Sequence, residues 1–309
     1  MEPSRIGRTV TADGAAIETL SLNNTQAYLE YVVSKEKVFL FVLTSNKSRN
    51  GADVKAYPLS IKPSELAKKV EQFQSRLANR HPEFAGLARE LYGSLIGPAA
   101  QDINGVDSLC IVPDGFLWNL PFQAPLTTDN YYLTEDYAIS YVPSLRVLRE
   151  MSKSKNSRGN PEATLMALGN PVIGKDEQHE QDLCPLPEAE AEVKAISKGF
   201  SPSTNKVLIG REASERAFKA LASNYSVLHF ATHGVLDNRN PLYSHLLLTK
   251  TEADSENDGL LEAREIMKLR LHADLAVLSA CETANGRIAP GEGVIGMSWA
   301  FFVAGPARC

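Results

Sequence analysis

From residue 163 to residue 280 the sequence alternates short apolar runs with stretches of helical period, and no other feature limits its fold so tightly. "ATLMALGN" (163–170), "NKVLIG" (205–210), "SVLHFA" (226–231) and "DLAVLSA" (274–280) have the length and β-rich composition of strands. Between them "PEAEAEVKAISKGF" (187–200), "SERAFKALAS" (214–223) and "LEAREIMKLR" (261–270) read as helices. Such strands are joined in parallel, because each connection crosses the sheet and its helix buries a face. The expected fold class is therefore α/β, a mostly parallel sheet with flanking helices.

The first half is patterned differently. "AYLEYVVSKEKVFLFVLTSN" holds two β-rich runs around Ser34-Lys35-Glu36-Lys37, and "VKAYPLSI" adds a third. After Pro63, Leu66, Val70, Phe73 and Leu77 recur at helical spacing, with Ser64 as cap candidate. A second helix in "EFAGLARELYGSLIGPAA" stops at Gly97-Pro98, and strands follow in "DSLCIVPDG" and "YAISYVPS". Residues 151–162, polar and basic with Gly and Pro, form the linker between an N-terminal region (25–150) and a second domain (163–309). "SLCIVPDG" (108–115) aligns with "VLHFATHG" (227–234), and "AISYVPS" (138–144) echoes "AVLSACE" (276–282). The first half reads as a degenerate copy of the second, with Asp114 in the histidine's place.

Bulk properties exclude several classes. Hydrophobic content of 43% and charged content of 22% describe a globular chain. A net charge of −5 gives no reason to bind nucleic acid or an anionic membrane, and no apolar run reaches membrane-spanning length. The start lacks the apolar core of a secretory signal. Cys110, Cys184, Cys281 and Cys309 are scattered with no Cys-x-x-Cys pair, which argues against a disulfide framework or zinc site and for a reducing cytoplasm.

His233 and Cys281 each follow a predicted parallel strand, so both fall at the carboxyl edge of the sheet, where reacting groups gather in α/β folds. With one crossover between neighbouring strands, the two can meet in a cleft as base and nucleophile. The plain alternatives are a small buried cysteine and a satisfied polar histidine. His229 lies inside its strand, alternating with Val227 and Ala231, and reads as a core residue. Zinc held by His229, His233 and Cys281 is disfavoured, because i and i+4 side chains of a strand stand roughly 13 Å apart.

"HFATHG", "DGLLEAREI", "LSACETANG" and "GEGVIGMSWAFFVAG", in this order, resemble the CHAT family of caspase-like domains, often found behind tetratricopeptide repeats. "LCIVPDGFLWNLPFQAPL", "YAISYVPSLRVLRE", "ALGNP" and "LPEAEAEV" resemble the family's N-terminal part, so the likeness runs from about Thr25 to Gly305. The resemblance implies a caspase-type fold related to caspases and separases, with His233 as base and Cys281 as nucleophile. It implies an oxyanion hole from the backbone N–H groups of Gly234 and Cys281, a protein or peptide substrate, and no cofactor or metal. Tetratricopeptide-repeat proteins are the implied partners; nucleic acid and membrane are not. The activity expected is that of a cysteine endopeptidase working through an acyl-enzyme.

Family members continue past "AFFVAG" into another strand, whereas this sequence ends "PARC" at Cys309. The expectation is an unpaired edge beside the strand ending at Cys281, an uncovered apolar helix over 292–304, and a weak or inactive peptidase. A signalling or docking module and a cysteine acyl-hydrolase are therefore the alternative readings. "DSENDGLLEARE" (254–265) approaches a calcium loop but has Glu256 at its third position, and its acidic run reads as a solvated hairpin tip. "PGEGVIG" lacks the Lys-Ser/Thr of a phosphate loop.

Overall fold

The computed structural model describes residues 24–46, 51–127, 129–149, 162–173, 184–237, 239–251, 256–280 and 292–305. The chain divides into two compact units, residues 1–153 and 154–309. Residues 151–161, most of the linker anticipated from sequence, lie outside the described residues.

In the first unit, β1 (Gln26–Val33), β2 (Val38–Asn46) and β3 (Gly51–Pro58) form an antiparallel meander, closed at Ser34–Lys37 by a turn whose Ser34 N–H donates to the Lys37 carbonyl. Helices α1 (Pro63–Ala78) and α2 (Phe84–Leu95) follow, and α1 buries Leu66, Val70 and Phe73 as the periodicity predicts. Ser64 is not the cap. Lys62 holds that position without a side-chain bond and Pro63 opens the helix, because its fixed φ and missing N–H suit the first helical residue. Strand β4 (Ser108–Val112) then pairs in parallel with β1 and with β5 (Ala138–Tyr141), which is preceded by the one-turn helix α3 (Leu133–Asp136). The sheet order is β3-β2-β1-β4-β5.

The second unit contains the alternating elements: β6 (Leu165–Pro171), α4 (Pro187–Ser197), β7 (Asn205–Gly210), α5 (Glu215–Leu221) and β8 (Val227–Ala231). A small antiparallel sheet follows, of β9 (Gly234–Val235), β10 (His245–Leu247) and β11 (Leu260–Glu262), ending in the one-turn helix α6 (Ala263–Ile266). The last elements are β12 (Leu275–Ser279) and α7 (Glu292–Ala304). The main sheet runs β12-β8-β6-β7, all parallel. This is the α/β fold of caspase type, with helices on both faces. Leu165, Ala167 and Ala231 pack against Val193 of α4 on one face, while Met166, Leu168, Leu228 and Phe230 pack with Phe218, Ile266 and Met297 on the other.

Two expectations need correction. The helix read over 261–270 is only the single turn α6, because Leu260–Glu262 pair with β10 instead. The connection from β8 to β12 is therefore a small sheet and a short helix, not one long crossover helix. Helix α7 is not uncovered along its whole length. Met297, Ala300 and Ala304 are buried, and the Phe301 ring lies 5.8 Å from that of Phe230, while Trp299 and Val303 face outward. Strand β12 is an edge strand among the described residues. No described helix is long and apolar enough to cross a membrane.

The "ALGNP" motif fixes how α4 sits on the sheet. A Cβ on Gly169 would stand 2.7 Å from a Val193 methyl and 2.9 Å from the Ala189 carbonyl oxygen, so only glycine admits the helix this close. Asn170 follows at φ 46°, and its Oδ1 accepts from the Leu186 N–H at 2.7 Å, just ahead of the helix. Gly169→Ala is expected to cost about 1–3 kcal/mol through overpacking. Urea unfolding checks this, and an unchanged midpoint would contradict it.

Candidate active site

The site begins where β8 stops. After Ala231, the buried Thr232 donates its hydroxyl to the Leu247 carbonyl, and the Leu247 N–H returns a 2.9 Å bond to the His233 carbonyl. These two bonds hold the strand end against the small antiparallel sheet and set the direction of the next side chain. His233 is 7% exposed, and its Nε2 lies 3.0 Å from the Cys184 carbonyl oxygen. A carbonyl can only accept, so Nε2 carries the proton and Nδ1 keeps its lone pair. A neutral imidazole in that tautomer accepts a proton at Nδ1.

Gly234 lies near the residue that follows β12. A Cβ built on it would lie 3.3 Å from the Ala280 Cβ and 3.6 Å from Leu246 Cδ2. Strands β8 and β12 are paired in register from Val227↔Leu275 to Ala231↔Ser279. Two residues beyond this last pair stand His233 on one strand and, in the sequence, Cys281 on the other. Cys281 and Glu282 lie outside the described residues. Two free thiols are described: Cys184 is exposed, and Cys110 is buried, which pushes its thiol up despite a hydrogen bond with Ser140.

His229 is buried in the interior of β8, as the alternation implied, yet it is not merely core. Its Nε2 lies 2.9 Å from Glu192 Oε1 on α4, and the Ser279 hydroxyl donates to Glu192 Oε2 at 3.2 Å. One carboxylate thus ties α4 to both strands that lead into the site. Sequence reading missed Glu192; a histidine on the α4 face of a sheet needs a polar partner, and that need was the available signal. Among the described residues no three His, Cys, Asp or Glu side chains are grouped to hold a metal ion.

The "DGLLEAREI" motif has a structural task. Gly259 sits at φ 94°, and its N–H donates 2.7 Å to the buried Glu215 of α5. Glu215 also pairs with Lys219, which reaches Glu265 at 2.9 Å and the Glu256 carbonyl at 3.0 Å. Glu265 Oε2 accepts from the Glu262 N–H, closing the first turn of α6. Glu265, twelfth in the calcium-like run, therefore spends both oxygens on the protein. Asp254, first in that run, lies outside the described residues.

A family model of the CHAT domain matches residues 85–309. The chain belongs to the CHAT domain family. Its match begins in α2, so it takes in part of the first unit as well as the whole of the second. The chain is also 27% identical, over 281 residues and 76% of its length, to human tetratricopeptide repeat protein 28. The mouse protein of the same name matches at 27% over 266 residues, 72% of this chain. In both cases the chain spans only 11% of the relative's length.

Two measurements probe these contacts. Burial pushes the Glu215 carboxyl above its ordinary value of 4.5, against the opposing pull of Lys219 and the Gly259 N–H. The folded state then holds that proton more tightly than the unfolded state. Glu215's contribution is full below pH 4.5 and is lost as pH rises through the folded value. Relative to Glu215→Gln, the wild type should lose stability as pH rises above 4.5, and a constant or growing margin would contradict this. Glu192→Ala, which strands the buried His229 N–H, is expected to cost about 1–3 kcal/mol, with Glu192→Gln recovering part. Equal losses in the two variants would show that Glu192 acts only through packing.

Proposed function

We propose that this chain is a caspase-like cysteine endopeptidase in which His233 and Cys281 form the dyad. The observation that carries the reading is the register of β8 and β12. Ala231 pairs with Ser279, and a Cβ on Gly234 would lie 3.3 Å from that of Ala280, the residue joined directly to Cys281. Equal offsets along adjacent parallel strands favour a shared cleft. The family membership supports the same chemistry.

His233 Nδ1 takes the Cys281 thiol proton while Nε2 stays anchored on the Cys184 carbonyl. The thiolate attacks the peptide carbonyl carbon, and the oxyanion is held by the N–H groups of Gly234 and Cys281. The tetrahedral intermediate collapses as the imidazolium returns its proton to the leaving amine. A water deprotonated by His233 then hydrolyses the thioester and frees the thiol. The substrate is a protein or peptide, and no cofactor enters.

The first unit is proposed to be a degenerate copy of the second. Strand β4, like β8, is flanked by parallel neighbours, and Ser108 pairs with Ala138 much as Val227 pairs with Leu275. Asp114, in the place of His233, accepts a 2.7 Å bond from the Val33 N–H and so serves the end of β1. The chain is proposed to work beside tetratricopeptide repeats, in the same polypeptide or in a partner, because its relatives carry that name. The free thiols Cys110 and Cys184 fit a reducing cytoplasm.

Turnover of a fluorogenic peptide panel tests the reading. Cys281→Ala and His233→Ala should each abolish cleavage with melting unchanged, whereas Cys110→Ser should leave it intact. Hydrolysis of simple thioesters or esters without any peptide cleavage would make the protein an acyl-hydrolase. Peptide binding with no turnover by the wild type would make it a docking module.

A further inference from the structure

A cationic cleft lies on surfaces that the peptidase reading does not use. The turn after β7, the outer side of α5 and the segment after β10 enclose a cleft of about 1010 Å³. Arg211, Arg216 and Lys250 line it, one from each element, and all three are exposed. Among the described residues none of them makes an ion pair and no Asp or Glu lines the cleft. Glu215, which falls between the two arginines in sequence, is turned into the core and neutralised by Lys219. Three cations line one cleft in a chain whose net charge is −5.

The floor is built in advance. The Thr249 hydroxyl donates to the Gly210 carbonyl and accepts from the Val172 N–H, both at 2.9 Å, while its own N–H donates to the Ala213 carbonyl. The Ser214 hydroxyl caps α5 by accepting from the Ala217 N–H. Ligand binding therefore has little ordering of these walls to do. Val172, Ala217 and Leu221 add apolar lining between the charges. The volume is far larger than one small anion fills. Among the described residues no aromatic side chain lines the cleft, so they offer nucleic-acid bases no stacking platform. Two planar guanidiniums and an ammonium on an apolar ground match carboxylates spaced along a peptide.

We propose that this cleft binds an acidic, partly apolar peptide segment of a protein substrate, at a place separate from the dyad. Thr249 stands two residues beyond Leu247, whose N–H bonds the His233 carbonyl, so the cleft starts at most about 7 Å along the chain from that contact. The selection of substrates rests on the peptidase reading; the binding itself does not.

The test uses the full chain carrying Cys281→Ala, so that binding is read without turnover. A fluorescein-labelled peptide alternating Glu or Asp with Leu or Val should bind by anisotropy, and its affinity should fall with added salt. The same peptide with Lys for each acid should not bind. Arg211→Glu, Arg216→Glu and Lys250→Glu combined should weaken binding at least about tenfold, given charge reversal at three contacts. The combined Arg211→Gln, Arg216→Gln and Lys250→Gln variant, with melting unchanged, should fall between. Equal binding by wild type and both variants would overturn the proposal, as would complete displacement by millimolar inorganic phosphate. Glu252 and Asp254, which follow Thr251 in sequence, lie outside the described residues. Binding that emerges only with Glu252→Gln and Asp254→Asn would assign the cleft to the chain's own acidic segment and overturn the proposal too. Absence of peptide cleavage by the wild type, with acidic-peptide binding intact, would count against the peptidase reading alone.

Discussion

Strand β8 is the constraint on which the second unit depends. It is bonded in parallel to β6 on one side and β12 on the other, with Val227 to Ala231 aligned to both. Its alternate residues enter two different cores, with Phe230 packed on Phe218 and Phe301, and Ala231 packed on the α4 side. Because the register of a strand has period two, a one-residue slip would exchange these cores and send His233 to the opposite face. The face of the sheet on which His233 falls is thus set by the register of the five residues of β8 before it.

What happens past Ala231 is decided by hydrogen bonds rather than by packing. Thr232 and His233 exchange bonds with Leu247, and His233 finds its carbonyl on Cys184, 49 residues earlier in the chain. These contacts leave the imidazole with one defined tautomer. Polar groups this buried are costly when unpaired, so the same contacts that orient the imidazole also stabilise its surroundings. The Glu192 bridge to His229 and Ser279 extends this logic to both strands of the site.

Charge is partitioned between interior and surface. Glu215 and Lys219 are used to hold the β10–β11 hairpin, and this removes one of the two carboxylates, Glu212 and Glu215, that lie between Arg211 and Arg216 in sequence. The cationic cleft is a consequence of where α5 turns its buried face. An i,i+4 Glu–Lys pair usually belongs to a solvated helix surface. Here the acid is fully buried, and the pair is a structural tie.

Much of the α/β architecture was legible in local pattern. Strands β6, β7, β8 and β12 and helices α4 and α5 follow from apolar runs and helical period, because burial on a sheet face demands that spacing. The position of His233 at a strand end was legible for the same reason. The helix expected over 261–270 was not realised, since Leu260–Glu262 had an unpaired strand edge available in β10, and pairing outweighs a weak local preference. Ser64 lost the cap to Lys62 because Pro63 fixes the start of α1. The sequence by itself determined which residues are apolar, at what period, and therefore which segments form a parallel sheet. Only the tertiary structure decided which carbonyl meets His233, which acid meets His229, and which three cations share a cleft. Those partners are dozens of residues apart, and no local periodicity carries the distance between them.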